Sequence, residues 1–157
     1  MVMPRAVALY FRLTEMIFEE SGMQQKTVLT ADDVKKVLAA AELEAKNHQW
    51  AVSIAIVDDG GHLLALQRLD GAAPISSYIA TEKARTSSLG RRESKVYEDM
   101  INNGRHSFMT APVLQGMLEG GVPIVVNDQV VGAVGVSGVK STEDAQIARA
   151  GIAALGV

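Results

Sequence analysis

The sequence predicts an α+β fold in which a mainly antiparallel sheet of four or five strands is covered by helices. Two pairs of β-rich segments, each joined by a short polar turn, predict two β-hairpins. Four segments with apolar residues at helical spacing lie before, between and after these hairpins. Hairpins give antiparallel strands, and amphipathic helices must bury their apolar stripes. The helices are therefore expected to pack against the sheet.

Four apolar, β-branched runs predict the strands: residues 50–57, 62–69, 121–126 and 130–136. Asp58-Asp59-Gly60-Gly61 separates the first two runs; glycine permits positive φ, and the aspartates can accept hydrogen bonds from turn amides. This chemistry favours a turn over a metal site. Gly132 and Gly135 interrupt the last strand, which indicates a bulge or the close approach of another backbone segment.

The helices are predicted over residues 31–46, 74–89, 94–101 and 141–155. Thr30 and Asp33 have the spacing of a capping box at the start of the first helix, and Ser94 is the predicted N-cap of the third. Pro74 suits the first turn of the second helix. That helix carries small residues that would let it lie close to the sheet or to another subunit: Ala80, Ala84, Ser87 and Ser88.

The chain is predicted to form one domain over residues 23–157, preceded by an extension of residues 1–22. Part of the extension has apolar residues at helical spacing: Leu9, Leu13, Met16 and Ile17. Arg12 and Glu15 interrupt this apolar stretch, which is therefore too short for a membrane span. Two interpretations stay open for the extension, an amphipathic helix that docks on the domain and a disordered segment.

The composition argues against several classes of function. Of the 157 residues, 48% are hydrophobic and 21% are charged, which is typical of a globular domain. A formal net charge of -3 gives no general attraction to nucleic acid or anionic membranes, so we expect neither as a partner. The absence of cysteine excludes disulfides, thiolate nucleophiles and iron–sulfur clusters. We expect the protein to be cytoplasmic.

No sequence motif assigns a catalytic residue or a metal site. The three histidines, His48, His62 and His106, do not form a ligand pair, and there is no Gly-x-Ser-x-Gly nucleophile elbow. The glycines of residues 132–138 depart from the order of a dinucleotide-binding fingerprint. These observations favour binding over catalysis.

Polar residues near the ends of the predicted strands are candidates for ligand binding. Arg68 and Asp70 end the first hairpin, and an arginine suits planar carboxylates such as haem propionates or small organic acids. An Arg68–Asp70 ion pair is the structural alternative. Lys83 and Arg85 cannot face the same way on one helix, so at most one shares a pocket with Arg68. The Gly120-Gly121 pair either leaves backbone amides free for a ligand or forms a tight turn.

Four blocks of sequence together resemble the GlcG/HbpS-like family, also called the haem-degrading domain family and similar to the carboxy-terminal domain of PduO. The blocks are residues 57–72, 82–86, 120–124 and 132–138. They occur in the order typical of the family, and the resemblance extends from Met23 to the end of the chain. It implies a profilin-like fold, assembly into homo-oligomers and, in some members, binding of haem or a related tetrapyrrole.

The candidate cofactor-binding residues are His48, His62, Arg68, Asp70, Lys83, Gly120 and Gly121. The resemblance implies all of these except the two histidines, which are added as candidate iron ligands. The leading hypothesis is a protein that binds haem or a related tetrapyrrole or corrinoid, associated with glycolate, glycerol or diol metabolism. One alternative is an enzyme acting on a small hydroxy- or keto-acid, with Lys83 or His62 as base and Arg68 holding the carboxylate. Another is a non-catalytic structural or regulatory oligomer subunit.

Overall fold

The computed structural model describes residues 22–157. The helical pattern predicted for the extension involves residues 9–17 and therefore lies outside the described residues. The described chain forms four helices, four strands and a short 3-10 helix. In chain order these are α1 (Ala31–Asn47), β1 (Ser53–Asp58), β2 (Leu63–Arg68), α2 (Ile75–Gly90), α3 (Ser94–Asn102), the 3-10 helix (His106–Thr110), β3 (Gly121–Val126), β4 (Gln129–Ser137) and α4 (Ser141–Ala153). The predicted α+β class is confirmed.

The four strands form one antiparallel sheet in the order β2-β1-β4-β3. Both predicted hairpins are present, and β1 pairs with β4 to join them in the centre of the sheet. β2 and β3 are the two edge strands. A register shift between Ile56 and Val57 marks a bulge near Leu64 on β2.

The larger apolar side chains of the sheet face the layer formed by α1 and α4. These two helices also pack against each other. The sheet contributes β-branched residues to this core: Ile54, Ile56, Val122, Ile124, Val134 and Val136. Val52, directly before β1, joins them. The helices contribute mostly small or β-branched residues, among them Val37, Ala41, Ala45, Ile147 and Ala148. This face therefore holds the main hydrophobic core.

The opposite face of the sheet is built from small residues because α2 lies very close to it. Ala80 and Ala84 of α2 pack against Ala55, Val57 and Ala133. A side chain at Gly135 would collide with the backbone of α2 at Ala80 and Ala84. The close approach predicted from the small residues of this helix and from Gly135 is confirmed.

The helix ends agree with the sequence patterns at some positions and not at others. The capping box of Thr30 and Asp33 is present at the start of α1. The prediction of Ser94 as an N-cap is wrong, because Glu93 occupies that position and Ser94 is the first helical residue. The Ser94 hydroxyl instead donates to the carbonyl of Leu118 and accepts from the amide of Gly121, thereby joining α3 to β3. Within residues 22–157, every helix is too short or too polar to cross a bilayer.

The contact between Gly135 and α2 can be tested by adding one methyl group. We expect Gly135→Ala to lower the free energy of unfolding by about 1–3 kcal/mol, because the methyl group must displace the helix backbone. Urea denaturation measures the change. Val125→Ala on the exposed part of β3 is the control, with an expected change within about 0.5 kcal/mol. Equal losses in the two variants would contradict the close approach.

Candidate functional site

A cleft of about 620 Å³ lies between β2 and the first half of α2. The sheet register places Leu66 opposite Ala55 and Arg68 opposite Ser53, so both side chains lie on the sheet face that α2 covers. The wall of the cleft that α2 provides comes from residues three or four positions apart, which lie on one side of the helix. The residues lining the cleft are Leu66, Arg68, Pro74, Ser77, Tyr78, Thr81, Glu82 and Gln115.

This cleft, which we call the β2–α2 cleft, combines an apolar wall with a few polar groups. Leu66, Pro74 and Tyr78 supply apolar surface, while Arg68 supplies a guanidinium group. Among the described residues, Arg68 forms no ion pair. One carboxylate oxygen of Glu82 pairs with Arg85 at 2.5 Å, and the other is buried without a hydrogen-bond partner within residues 22–157. The cleft therefore joins apolar surface to one cation without an ion-pair partner in the described part of the chain, Arg68, and to one carboxylate, Glu82.

A second cleft of about 390 Å³ lies where the carboxyl end of α1 meets the end of β2. Its lining is more polar and includes Lys46, Trp50, Arg68 and Asp70. Lys46 forms an ion pair with Glu42 at 2.5 Å, and the hydrogen bond from Lys46 lowers the pKa of Glu42. The Arg68–Asp70 ion pair considered from the sequence does not form. Arg68 lines both clefts and so separates them.

The two candidate histidines lie at different places. His48 caps the carboxyl end of α1, with Nδ1 3.0 Å from the carbonyl oxygen of Glu44. Its ring stacks on Trp50 with 4.3 Å between ring centroids, which brings it to the border of the second cleft. His62 lies at the opposite end of the first hairpin, six extended residues or about 20 Å from Arg68. Neither histidine lines the β2–α2 cleft.

The carboxylates of the first hairpin turn are engaged in local contacts. Asp58 accepts hydrogen bonds from the amides of Gly60 and His62, each at 2.9 Å. Burial raises the pKa of Asp58, but these hydrogen bonds outweigh it, so the net shift is downward. Asp59 pairs with Lys26 at 2.6 Å. Within residues 22–157 there is no cluster of three histidine or acidic residues that could hold a metal ion.

Lys83 is buried in an ion pair that connects the two helix layers. Its ammonium group donates to Asp144 Oδ2 at 2.9 Å and to the carbonyl oxygen of Val136 at 3.0 Å. The side chains of Lys83 and Asp144 are only 5% and 2% exposed. Burial raises the pKa of Asp144, although the neighbouring Lys83 ammonium acts in the opposite direction. The ammonium lines neither of the two clefts that Arg68 borders.

The Gly120-Gly121 pair is adjacent to this ion pair. A side chain at Gly120 would meet the Lys83 ammonium at 2.8 Å, so glycine leaves room for it. The Gly121 amide donates to Ser94 Oγ at 2.8 Å, and the Gly120 carbonyl accepts from the Val136 amide. The amide of Gly121 is thus already satisfied within the chain. Gly120, Gly121 and Lys83 form one structural group, separate from Arg68 and Asp70.

The partner of Lys83, Asp144, was not predicted from the sequence. Asp144 lies three and four residues before Ile147 and Ala148, on the buried side of α4. A carboxylate on a buried stripe requires a cation or several hydrogen-bond donors. This spacing was the signal that could have indicated a buried ion pair, although not which cation completes it.

Comparison with known proteins supports the family resemblance that the four sequence blocks indicated. The sequence matches the family described as haem degrading protein HbpS-like over residues 29–153. The chain belongs to this HbpS-like family. The match includes every helix and strand of the described structure, so both clefts lie within the family domain.

The chain is also similar to individual proteins of known sequence or structure. The chain is 57% identical to the protein GlcG of Escherichia coli over 115 residues, which cover 73% of this chain and 85% of GlcG. The crystal structure of the Klebsiella pneumoniae protein ORFY has a TM-score of 0.80 at 28% identity, covering 87% of this chain and 97% of ORFY. The crystal structure of a PduOC–haem complex has a TM-score of 0.72 at 26% identity, covering 82% of this chain and 95% of the PduOC chain.

The Lys83–Asp144 ion pair predicts a strongly non-additive response to substitution. We expect Lys83→Met to lower the free energy of unfolding by about 3–5 kcal/mol, because it leaves a buried carboxylate without its cation. Adding Asp144→Asn removes that charge and keeps an acceptor for the Val139 amide, so the double variant should recover much of the loss. Urea denaturation of the wild type, both single variants and the double variant measures the coupling. Additive losses would contradict this interpretation.

Proposed function

We propose that this HbpS-like protein binds haem, or a related tetrapyrrole or corrinoid, in the β2–α2 cleft. The observation that carries the proposal is the cleft itself, an apolar space of about 620 Å³ with the Arg68 guanidinium at its border. Ligand pockets in proteins commonly measure about 300–1,000 Å³ and are mostly apolar with a few polar groups. The related PduOC domain, which shares the fold of this chain, has been crystallised as a complex with haem.

The residues of the cleft fit the two chemical parts of a tetrapyrrole. Leu66, Pro74 and Tyr78 offer apolar surface to a flat ring system. Arg68 can bind a propionate carboxylate through two parallel hydrogen bonds, which fixes the direction in which the ring enters. We therefore assign the orienting contact to Arg68.

Iron ligation is the more demanding part of the fit. No histidine lines the β2–α2 cleft, whereas the Tyr78 phenol does, and tyrosine is an established axial ligand of haem iron. We therefore propose Tyr78, rather than His48 or His62, as the residue nearest the iron. Bound haem would supply a redox-active iron to the cleft. The part of the chain described by the structure supplies the apolar wall and the cation.

Titration with hemin tests this proposal. The wild-type protein should give a saturable shift of the Soret band, because the iron environment changes on binding. Arg68→Ala should weaken hemin binding by about 10- to 150-fold, since a charge-assisted pair contributes about 1.5–3 kcal/mol and each 1.4 kcal/mol is a factor of ten. Tyr78→Phe should retain binding with a different Soret maximum, because the ring surface remains and the phenol oxygen is lost. Arg105→Ala, in the segment after α3, is the matched control and should bind as the wild type does.

The same titration separates this assignment from the histidine candidates. His48→Ala and His62→Ala should leave the Soret maximum of the complex unchanged. If either histidine variant abolishes the shift while Tyr78→Phe does not alter it, the assignment of Tyr78 is wrong. If the wild type shows no Soret shift, the proposal of haem binding fails as a whole.

The second cleft favours a second candidate function, action on a small hydroxy- or keto-acid. Arg68 provides a cationic group without an ion-pair partner among the described residues, whereas Lys46 is paired with Glu42. The polar space of about 390 Å³ suits a small carboxylate better than a tetrapyrrole. Of the two bases considered from the sequence, Lys83 is engaged by Asp144, and His62 lies at the far end of the hairpin. The described residues therefore support binding of such an acid better than its conversion.

Thermal-shift measurements with glycolate, glyoxylate and glycerol test the second candidate. A ligand that binds the folded chain at a hundred times its dissociation constant stabilises it by about 2.7 kcal/mol, so the melting temperature must rise. We expect any stabilisation by glycolate or glyoxylate to disappear in Arg68→Ala. Glycerol is the uncharged control. A response to neither hemin nor these acids would favour a structural or regulatory subunit.

A further inference from the structure

Three serine side chains meet where α2 crosses β1, next to the β2–α2 cleft. Ser53 Oγ of β1 lies 2.7 Å from Ser76 Oγ and 3.3 Å from Ser77 Oγ of α2. Ser53 and Ser76 are buried, whereas Ser77 lines the cleft. Ser76 Oγ also donates to the carbonyl oxygen of Ala73 at 2.6 Å. None of these hydroxyl groups takes part in the contacts assigned to haem.

The number of hydroxyl protons fixes the direction of these hydrogen bonds. A serine hydroxyl has one proton to donate and two lone pairs that accept. A carbonyl oxygen only accepts, so Ser76 gives its proton to Ala73 and Ser53 must be the donor to Ser76. The proton of Ser53 is then used, and Ser77 is the donor to Ser53. The chain of hydroxyl groups therefore begins at Ser77 and ends at the carbonyl oxygen of Ala73.

The bond from Ser77 to Ser53 is the one that a ligand can replace. Its length of 3.3 Å exceeds the range of about 2.5–3.0 Å that is usual between hydroxyl oxygens, whereas the other two bonds measure 2.6 and 2.7 Å. If Ser77 turns its proton toward the cleft, Ser53 still donates to Ser76. A hydrogen bond to an ionised acceptor is roughly twice as strong as one between neutral groups. An anionic acceptor in the cleft therefore compensates for the loss of this long bond.

The strand register places Arg68 next to the same hydroxyl groups. Arg68 lies opposite Ser53, and the adjacent pair is joined by a hydrogen bond from the Leu69 amide to the Val52 carbonyl. Bonded and non-bonded pairs alternate in an antiparallel ladder, so Ser53 and Arg68 form a non-bonded pair with Cα atoms about 4.5 Å apart. Side chains are closest in such pairs. Arg68 forms no ion pair among the described residues.

We propose that Ser77 and Arg68 together form a carboxylate-binding subsite of the β2–α2 cleft. The guanidinium supplies the opposite charge, and the Ser77 hydroxyl donates to one carboxylate oxygen after it releases Ser53. A carboxylate has about four acceptor positions, so it accepts from both groups at once. Glu82, the carboxylate of the cleft lining, lies five residues further along α2, or about 7.5 Å. The anionic end of the ligand therefore lies near the start of α2, away from Glu82.

This assignment rests on the proposal that the β2–α2 cleft is the ligand site, but it requires only the carboxylate of the ligand. That group can come from a haem propionate or from a small aromatic acid. Two pairs of probes distinguish these sources: hemin with its dimethyl ester, and 2-naphthoate with its methyl ester. In each pair the ester keeps the rings and removes the negative charge.

Substitution of Ser77 in the full chain tests the subsite. Ser77→Ala should weaken the binding of 2-naphthoate and hemin about tenfold, because a hydrogen bond to a charged group is lost and only a weak internal bond is recovered. The affinities for both esters should stay unchanged. Titrations followed by NMR for the naphthoates and by the Soret band for hemin measure these affinities. Ser88→Ala is the matched control, because it removes a hydroxyl from α2 that donates to the Asp58 carbonyl, outside the cleft.

Substitution of Ser53 separates binding from stability. Ser53→Ala removes a buried donor to Ser76, so it should lower the midpoint of urea unfolding more than Ser77→Ala does. It should nevertheless bind 2-naphthoate at least as tightly as the wild type, because Ser77 then has no internal acceptor to release. A purely structural role for these hydroxyl groups predicts the reverse order, with the weaker binding in the less stable variant.

The outcomes separate this subsite from haem binding. If 2-naphthoate binding depends on Ser77 and hemin gives no Soret shift, the subsite stands and haem binding fails. If only hemin binds and its affinity depends on Ser77, the carboxylate is a propionate. If Ser77→Ala binds the acids as the wild type does, or weakens acids and esters equally, the subsite is wrong even where hemin binds. If neither acid binds the wild type, both proposals fail.

Discussion

The buried ion pair of Lys83 and Asp144 is the contact on which the arrangement of the layers depends. Lys83 belongs to α2, which covers one face of the sheet, and Asp144 belongs to α4, which covers the other face. Their side chains meet beside the carbonyl of Val136, near the end of β4. Neither charge can be left alone at this depth, because the desolvation of a single ion costs several kcal/mol. The pair therefore fixes how α2 and α4 are positioned relative to the same strand.

Much of the fold could be predicted from local patterns, because each pattern reflects a local physical requirement. The alternation of strand and turn residues identified both hairpins, and Thr30 with Asp33 identified the start of α1. Ser94 shows where local reasoning fails. A serine before a helix satisfies the usual preference for an N-cap, but its hydroxyl is used by β3, which lies 27 residues away in the chain. Contacts of that range leave no periodic signal in the sequence.

The candidate site was predictable in its residue types and not in their grouping. Arg68, at the end of a predicted strand, borders both clefts. Lys83 lies in a different place, although the resemblance implied both residues as pocket candidates. The position of Lys83 depends on Asp144, 61 residues further along the chain. Side-chain partners that come together only after the layers pack cannot be identified from spacing along one chain.

The glycine at the centre of β4 also shapes the surface of the molecule. Because Gly135 lets the backbone of α2 lie close to β4, the helix contacts β2 least among the four strands. The β2–α2 cleft lies beside this sparsely covered part of β2. A bulkier residue at Gly135 would lift the helix and change the width of the cleft. The absence of a side chain at one interior position thus sets the dimensions of a surface cleft that this position does not touch.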